Sequence, residues 1–502
     1  MAEPARASSL RARFPLDVLP DSLHPPRVRR LFPSLLLLLP ACSNTPAAIS
    51  IDITAGQETT AFSEAPAVTT VAVTITSLDG SINTTLNPAP GQAFDFGDGF
   101  DNTEQISISV AGTNSSSTQP ILGGQSLSGL LLSSIEGGIT VFAQRKYQWS
   151  RPWGGLAASH VDGVATVVEE RFLSLSGGHA ATGDTTSTAT NVDTYDLFGL
   201  TGDATTPPLF SGAQTIVPIP VSSNNTDTQA LFLSDSGPQL YDYTLGSADT
   251  TNAALDLPAG VTAWSDVTGG AVLSDGSGRA FVVGATRSSG ATDVVLDIEV
   301  DSNGDVVLTN FPLNAKRAGA AAAYIAGVGL VVAGGSATGG GVEVLSPTGA
   351  GFVLQGGYLP INVTGAGVVT DGATNGVWLL GGVDAMGNPA PTLHLPLSSC
   401  GAGCMPDTPN TALQLPNALV GVSAYMLTNG SLLAVGNEPG GGFTRSFIVD
   451  VGVGVQMPVT EALLREPRKG AAVIPAPNAT LALLGGEHAD GTPALSVELF
   501  LP

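Results

Sequence analysis

The chain has 502 residues, with 63 glycines and 35 prolines but only 18 lysines and arginines. This length exceeds one ordinary core, so we expect two or more domains, and the abundant Gly, Pro, Val, Thr and Ser are typical of strands joined by turns. The formal net charge of -24 argues against nucleic acid and anionic membrane surfaces as partners, because binding phosphate requires a basic face.

An apolar segment near the N-terminus has the pattern of an export signal. Arg29 and Arg30 precede the apolar run 31–39, and small residues lead to Cys42. This order predicts a signal peptide over residues 1–41, with a run too short to span a bilayer as a helix. Residues 1–27 lack signal character and are interpreted as an over-extended start.

The sequence Leu39-Pro40-Ala41-Cys42 resembles the lipobox of bacterial lipoproteins. The resemblance implies that Cys42 becomes the first mature residue and carries the acyl chains, with residues 42–47 as the linker and the lipid as the only membrane contact. Ser43 stands where aspartate is the usual signal for inner-membrane retention, which implies the periplasmic or exposed side of the outer membrane. The alternative is an ordinary secretory signal in which Cys42 has no role.

Residues 48–138 alternate between apolar and polar side chains. The segments 49–53, 68–75 and 105–110 have the period of two that half-buried strands show, and turn residues separate them. About a hundred residues of this kind are typical of a small sandwich. We therefore predict an immunoglobulin-like β-sandwich.

Four acidic residues lie in a glycine-rich stretch of this region, namely Asp95, Asp98, Asp101 and Glu104. Calcium binds several carboxylate and carbonyl oxygens, so the loop could hold one calcium ion, although the spacing does not fit an EF-hand. A solvated acidic turn is the interpretation that such short motifs favour. No other cofactor is expected.

A hydrophobic triplet that runs into Gly-Gly, or into a remnant of it, recurs at intervals of about fifty residues. The seven copies occupy residues 173–178, 230–235, 281–284, 331–335, 379–382, 433–436 and 483–486. Such a period indicates units that bury their apolar faces against one another. The fourth copy has four predicted strands, at 317–324, 329–335, 341–345 and 352–354.

The start Arg317-Ala318-Gly319, the Gly-Gly after a Val/Leu strand and the third strand Val342-Glu343-Val344 resemble kelch-type β-propellers, and residues 468–500 repeat the pattern. The resemblance implies an all-β, seven-bladed propeller of four-stranded blades over residues 140–502. The segment 140–149 has the pattern of a strand that completes the last blade, which would leave no exposed edge.

Cys400 and Cys404 are the two cysteines that remain after Cys42. A three-residue, glycine-rich spacer can close a small disulfide loop, and an oxidising compartment preserves it. Zinc would need two more ligands, yet His394 is the only candidate nearby, so a disulfide is predicted.

Arginines recur where blades begin, at Arg151, Arg317 and Arg468. A ring of guanidinium groups could bind an anionic ligand in the funnel; the alternative, which we favour, is that each arginine braces the neighbouring blade through backbone carbonyls. His160, with His179 and His488, lies near turns of blades one and seven. These histidines could form a shared site at the mouth or make ordinary hydrogen bonds in turns.

The sequence contains no Gly-x-Ser-x-Gly, phosphate-binding loop or metal-binding His pair. We therefore predict a protein that is not an enzyme: a monomeric, lipid-anchored envelope protein whose propeller is a scaffold that binds a protein or glycan. The alternative is a carbohydrate-active hydrolase or lyase of the outer membrane, which would need two carboxylates facing each other across the funnel.

Overall fold

The structure is a computed structural model that describes residues 49–502, with gaps. The gaps are residues 81, 89–93, 97–102, 136–137, 185–191, 206–214, 219–228, 244–246, 249–254, 276–277, 286–290, 302–304, 336–340, 347–350, 355–361, 372–375, 398–412 and 453–457. The described residues form β-strands and two short 3-10 turns, Leu132–Ser134 and Trp264–Asp266, with no α-helix among them. The prediction that the protein is all-β is confirmed.

Two sheets near the N-terminus share one apolar core. Their strands are β1 (Ile49–Thr54), β2 (Thr70–Ser77), β3 (Asn83–Leu86), β4 (Phe94–Phe96), β5 (Gln105–Asn114), β6 (Ser117–Gln125), β7 (Leu130–Leu131), β8 (Gly138–Phe142) and β9 (Gln144–Arg145). One sheet has the order β4-β1-β8 and the other β3-β2-β5-β6-β9, with β7 beside β5. β1 is parallel to β8, whereas the other pairs are antiparallel.

Alternation of side chains builds this core. Every second residue of β2 is buried, and Val73 and Ile75 pack with Ile108 of β5 and Ile51 of β1. The predicted period of two therefore corresponds to real strands with one buried face.

Seven small antiparallel sheets follow along the chain. Sheet 1 contains β11 (Val164–Val168), β12 (Phe172–Ser176), β13 (Val192–Asp196) and β14 (Thr201–Thr205); sheet 2 contains β15 (Thr215–Pro218), β16 (Gln229–Ser234), β17 (Gly237–Asp242) and β18 (Ser247–Ala248); sheet 3 contains β19 (Ala271–Ser274), β20 (Arg279–Val283), β21 (Val295–Val300) and β22 (Val306–Asn310).

Sheet 4 contains β23 (Ala321–Ile325), β24 (Gly329–Ala333), β25 (Glu343–Leu345) and β26 (Phe352–Leu354); sheet 5 has, among the described residues, β27 (Gly367–Asp371), β28 (Gly376–Leu380) and β29 (Leu393–Leu395); sheet 6 contains β30 (Val420–Met426), β31 (Leu432–Asn437), β32 (Thr444–Val449) and β33 (Val459–Glu461). Sheet 7 contains β34 (Ala472–Ala476), β35 (Thr480–Leu484), β36 (Glu498–Phe500) and β10 (Trp149–Ser150).

The recurring sequence motif lies on the second strand of every one of these sheets, from β12 to β35. Glycine lies at the end of that strand in every sheet except sheet 2, which has Ser234 and Asp235, and sheet 7 shows the reason. Gly485 and Gly486 have φ values of +69° and +95°, and a Cβ on Gly485 would lie 2.6 Å from the carbonyl oxygen of His160. The turn is therefore both left-handed and pressed against the neighbouring sheet.

Neighbouring sheets pack through their first strands. β11 contacts β15 and β34, and contacts continue from β15 through β19, β23 and β27 to β30. Sheets 6 and 7 share a core in which Leu433 and Val435 pack with Leu481 and Leu483. Sheet 1 therefore touches both sheet 2 and sheet 7.

The segment 140–149, predicted as one strand of the last blade, is divided between two parts of the molecule. β8 and β9 belong to the N-terminal sheets, where Gln144 and Arg145 pair with β6. Only Trp149 and Ser150 pair with β36 of sheet 7. Apolar alternation predicts a buried strand face but does not specify the sheet that covers it.

Candidate ligand site between the first and last sheets

The start of sheet 1 lies against the start and the Gly-Gly turn of sheet 7. The amide of Asp162 donates a hydrogen bond to the carbonyl of Gly470 at 2.8 Å, and the amide of Gly486 donates to the carbonyl of His160 at 2.9 Å. We call this contact the seam, defined by residues 160–162 of sheet 1 and residues 468–470 and 485–488 of sheet 7. These two backbone hydrogen bonds hold the start of sheet 1 in place against sheet 7.

Asp162 occupies a backbone position that glycine takes in other sheets. It lies two residues before β11 and has a φ of +56°. The residues two before the first strands of sheets 3, 4, 5 and 7 are Gly269, Gly319, Gly365 and Gly470, with φ between +61° and +73°. A left-handed conformation is unfavourable for a residue with a side chain, and such strain concentrates at functional sites.

The Asp162 carboxylate is exposed and has a histidine beside it. Its Oδ2 lies 3.8 Å from Nε2 of His179, and the two side chains are 66% and 61% exposed. The backbones of Val161 and His179 pair through two hydrogen bonds next to this contact. An acceptor and a titratable group are thus presented together to solvent.

Glu487 extends the charged surface across the seam. Its carboxylate accepts hydrogen bonds from the amide and the hydroxyl of Thr182 at 2.7 and 2.8 Å. The hydrogen bond from the Thr182 amide lowers the pKa of Glu487, and the positive charge of Lys469 and His179 acts in the same direction. The loop after β12 is thereby tied to sheet 7.

His488 lies on the same side of sheet 7, bonded to its own surroundings. Its Nε2 is 2.5 Å from Oε1 of Glu466, and its Nδ1 is 2.9 Å from the hydroxyl of Thr492. His160 is fully buried, with Nδ1 2.9 Å from the carbonyl oxygen of Gly177. The structure thus places His160 and His488 in the seam and His179 beside Asp162, and of the three only His179 and His488 are exposed in part.

Arg317 and Arg468 are buried and bonded within their own sheets. Arg317 donates to the carbonyl of Gly334 at 2.6 Å and to Glu343 at 2.7 Å, with both side chains at most 1% exposed. Arg468 makes the corresponding bonds to Gly485 and Glu498 at 3.2 and 3.0 Å. These bonds hold each arginine to its own sheet and not, as the favoured interpretation had it, to the neighbouring blade.

Burial governs the electrostatics of the pair in sheet 7. It lowers the pKa of the Arg468 guanidinium and raises the pKa of the Glu498 carboxyl, while the attraction between the two groups opposes both shifts. Glu466 supports the charge of Arg468 as well, and the amides of Arg465 and Glu466 support that of Glu498.

Arg151 lies at the junction with the N-terminal sheets. Its Nε donates to Glu58 at 3.0 Å, and its carbonyl accepts the amide of Gln57 at 2.9 Å. Trp153 donates to the hydroxyl of Thr54 at 3.0 Å. The arginine thus joins the loop after β1 to the chain that leads into sheet 1.

The predicted calcium and cysteine residues fall largely outside the described residues. Asp98, Asp101, Cys42, Cys400 and Cys404 lie there. Asp95 is in β4, where only the backbone is described, and Glu104 precedes β5 with its Oε2 buried and without a partner among the described residues. Among the described residues, no group of three or more His, Cys, Asp or Glu side chains is placed to hold a metal ion.

The first strands of the seven sheets carry small and apolar side chains. Their sequences are VATVV, TIVP, AVLS, AAAYI, GVVTD, VGVSAYM and AVIPA. Asp371 is the one charged residue in these strands, and its carboxylate lies 3.0 Å from Nε2 of His394, which stacks on Trp378. The charged groups of the seam lie outside these strands.

Sequence reasoning missed Asp162, Lys469 and Glu487. The signal for Asp162 was available, because alignment of His160-Val161-Asp162 with Arg468-Lys469-Gly470 places aspartate where other copies have glycine. Glu487 and Lys469 had no such signal, since their role follows from which sheets adjoin.

No family model matches the chain, and no curated protein matches it. Among solved structures, it is similar to the extracellular domain of a hybrid two-component system from B. thetaiotaomicron, at 13% identity and a TM-score of 0.41, covering 70% of this chain and 39% of that one. It is also similar to the dihydro-heme d1 dehydrogenase NirN (10% identity, TM-score 0.43, 78% and 72% covered). A fungal copper alcohol oxidase of the AA5 family matches at 9% identity and a TM-score of 0.38, with 91% and 100% covered.

The prediction that the protein is not an enzyme is corrected by these findings, because the similar structures include two enzymes. That prediction depended on the lack of known catalytic motifs, which does not exclude catalysis by residues that folding brings together. At such low identity and TM-score, the similarities assign no activity to this chain. Within the described residues there is no helix with the length and apolarity that crossing a bilayer requires.

Proposed function

We propose that this protein is a lipid-anchored envelope protein whose seven repeat sheets form a kelch-like propeller that binds a protein or glycan at the seam. The observation that carries the binding proposal is Asp162, an exposed carboxylate held in a left-handed conformation where other sheets have glycine. Retaining a strained, charged residue at one position of a repeat is typical of a site selected for binding.

Three features support the propeller. Each repeat contributes one meander sheet, neighbouring sheets pack through their first strands, and Trp149–Ser150 from before the first repeat pairs with β36 from the last. A strand exchanged in this way joins both ends of a ring and protects its edges. In this arrangement the first strands line a channel of small side chains, with the seam at one mouth.

The N-terminal sheets support an immunoglobulin-like module as part of the proposal. Two sheets pack face to face on a core of alternating residues, and β1 pairs in parallel with β8. The contacts of Glu58 and Gln57 with Arg151 join this module to the repeat sheets. The lipid anchor rests on the sequence of residues 28–42, which lie outside the described residues.

The chemistry of the seam favours a neutral or basic ligand. Asp162 and Glu487 present carboxylate oxygens that accept hydrogen bonds from hydroxyl or amino groups, and His179 can donate or accept. The net charge of -24 repels anionic ligands. Glycan hydroxyls and basic protein segments both meet these requirements.

The test is to measure binding of the purified protein to a glycan array and to envelope proteins of the producing bacterium, and then to compare Asp162→Gly. This substitution installs the residue of the other sheets, so relief of strain and added chain entropy nearly cancel and the free energy of unfolding changes by less than about 1 kcal/mol. Affinity for the ligand should fall at least about tenfold, as loss of a hydrogen bond to a charged group predicts.

Glu170→Gly is the matched control. Glu170 is also exposed with a positive φ, +48°, but lies in the turn between β11 and β12, at the far end of β11. The control removes the same charge and the same kind of strain, and should leave binding unchanged. Equal affinities of wild type and Asp162→Gly, or no binding to any glycan or envelope protein, would refute the proposal. Cleavage of a bound glycan during the assay would identify an enzyme instead.

A further inference from the structure

A buried pair of side chains recurs at the same place in several sheets. In sheets 4 and 7 it is Arg317–Glu343 and Arg468–Glu498, each with the arginine bonded to the carbonyl of the first glycine of the turn. The acid of each pair lies opposite the residue two positions before that glycine, as the pairing of Leu483 with Glu498 shows.

His160 and Asp193 occupy this place in sheet 1. His160 Nδ1 contacts the carbonyl of the first glycine, Gly177, and Asp193 pairs with Leu175, two residues before it. In sheet 5 the same place is apolar. The carbonyl of Val363 accepts a hydrogen bond from the amide of Gly335, just as the carbonyl of His160 accepts one from the amide of Gly486. Leu393 pairs with Leu379, as Asp193 does with Leu175. The fold therefore accommodates an ion pair, an apolar pair or a histidine–aspartate pair here.

The histidine–aspartate pair has no donor between its two side chains unless it holds a proton in addition to the one on Nδ1. A carbonyl oxygen only accepts, so Nδ1 of His160 carries a hydrogen, and in a neutral ring Nε2 is then an acceptor. Nε2 lies 3.8 Å from Oδ2 of Asp193, and both side chains are fully buried. Neither Nε2 nor Asp193 Oδ1 has another partner among the described residues. Two acceptors that face each other at this distance in a fully buried site are strongly unfavourable.

We propose that the His160–Asp193 pair binds one proton in the folded protein, and that the seam loosens as this proton is lost above neutral pH. With the proton, the pair is an imidazolium facing a carboxylate, or a neutral ring facing a carboxylic acid, and in either form one group donates to the other. Without it, a buried carboxylate faces a lone pair. The Asp193 carboxylate then retains two backbone donors, the amide of Ala158 at 2.7 Å from Oδ2 and that of Ala157, and none from the histidine.

The surroundings favour retention of the proton. Burial raises the pKa of Asp193, and the negative charge of Asp203 acts in the same direction, against the amide of Ala158 and the charge of His160. The ionisable side chains on the neighbouring elements are Asp203 on β14, Asp184 and His179 after β12, Asp162 before β11, and Glu466, Arg468, Lys469, Glu487, His488 and Glu498 of sheet 7. Among them, Asp203 is the group whose negative charge favours a proton on Asp193.

The direction of the pH effect follows from proton counting. An unfolded histidine loses its proton near pH 6.5 and an unfolded aspartate near pH 4. Above pH 6.5 the folded pair holds a proton that the open seam does not, so opening is favoured as pH rises. The equilibrium constant for opening should increase about tenfold per pH unit until the folded pair itself loses the proton.

Hydrogen exchange of the full protein between pH 6 and pH 9 tests this. The amides of Val161 and Gly486 bond across or beside the seam, and their protection factors, corrected for intrinsic exchange at each pH, report its opening. In wild type the protection should fall about tenfold per unit above pH 6.5. Two double variants, His160→Arg/Asp193→Glu and His160→Val/Asp193→Leu, copy the pairs of sheets 7 and 5 and should remove this dependence.

These variants retain His179 and His488, so any pH effect of those residues appears in all three proteins. The same pH dependence in wild type and in either folded variant would overturn the proposal. Nuclear magnetic resonance of wild-type His160 and Asp193 gives an answer even if neither variant folds. At pH 7 we expect a doubly protonated ring or a protonated carboxyl, whereas a bare Nε2 beside an ionised Asp193 would overturn it. This proposal does not depend on the ligand.

Discussion

Substitution of Trp149 by alanine should selectively destabilise sheet 7. Trp149 is fully buried on the two-residue strand β10, its indole N–H donates to the hydroxyl of Ser446 at 2.9 Å, and its ring lies 5.2 Å from that of Phe500. Truncation of a buried aromatic to alanine costs about 3–5 kcal/mol. The buried hydroxyl of Ser446 loses its partner as well, which adds about 1 kcal/mol.

The expected loss of about 4–6 kcal/mol is a large part of the stability of a typical domain. It should appear as a lower urea midpoint by circular dichroism and as faster hydrogen exchange in β36, because Ser150 pairs with Leu499 of that strand. Trp149→Phe retains the ring packing but removes the N–H, and should cost about 1–2 kcal/mol.

Trp153→Ala is the matched control, since the same change is made four residues further along. Trp153 is 51% exposed, although it donates to Thr54, and its truncation should cost less than about 1 kcal/mol. Equal losses of stability in Trp149→Ala and Trp153→Ala would contradict a stabilising role of β10 in sheet 7. Full protection of the β36 amides from exchange in Trp149→Ala would contradict it as well.

Two further pairs of variants test the packing of the repeats. Arg317→Met leaves Glu343 buried without its arginine partner and should lower the free energy of unfolding by about 3–5 kcal/mol. The double change Arg317→Val/Glu343→Leu, which copies sheet 5, should lower it by much less. Urea unfolding measures both losses, and equal losses would contradict the pairing. Gly485→Ala places a Cβ 2.6 Å from a carbonyl oxygen at φ +69° and should cost more than about 2 kcal/mol, while Gly430→Ala, with φ +84° but open space around it, should cost about 1 kcal/mol by thermal unfolding. Equal melting temperatures for the two glycine variants would show that backbone strain alone matters.

The repeat motif predicted the second strand of each small antiparallel sheet well, because it combines two physical requirements. A strand buried on both faces needs an unbroken apolar run, and the turn after it needs glycine where the next sheet approaches. The residues between copies carry no comparable constraint. The strand at 140–149 was assigned wrongly for this reason, since Tyr147, with φ +60°, breaks it at a point that the sequence does not mark.

The candidate site was only partly predictable. Proximity of His160, His179 and His488 follows from adjoining first and last sheets, which the sequence suggested. Their burial did not follow, because it depends on the packing around each side chain: His160 is fully buried, whereas the side chain of His179 is 61% exposed. Alignment of the copies could have singled out Asp162, but only the structure shows the left-handed backbone conformation that explains glycine in the other sheets.

The pairing of β10 with β36 sets an order of events during synthesis. Trp149 leaves the ribosome long before Phe500, so its indole remains without its final neighbours until nearly all the repeats have been made. The six other repeat sheets consist of strands that are contiguous in the sequence, so each can form as soon as it has emerged. Sheet 7 can be completed only at the end of synthesis, and a chain released before residue 498 would lack β36, the partner of β10.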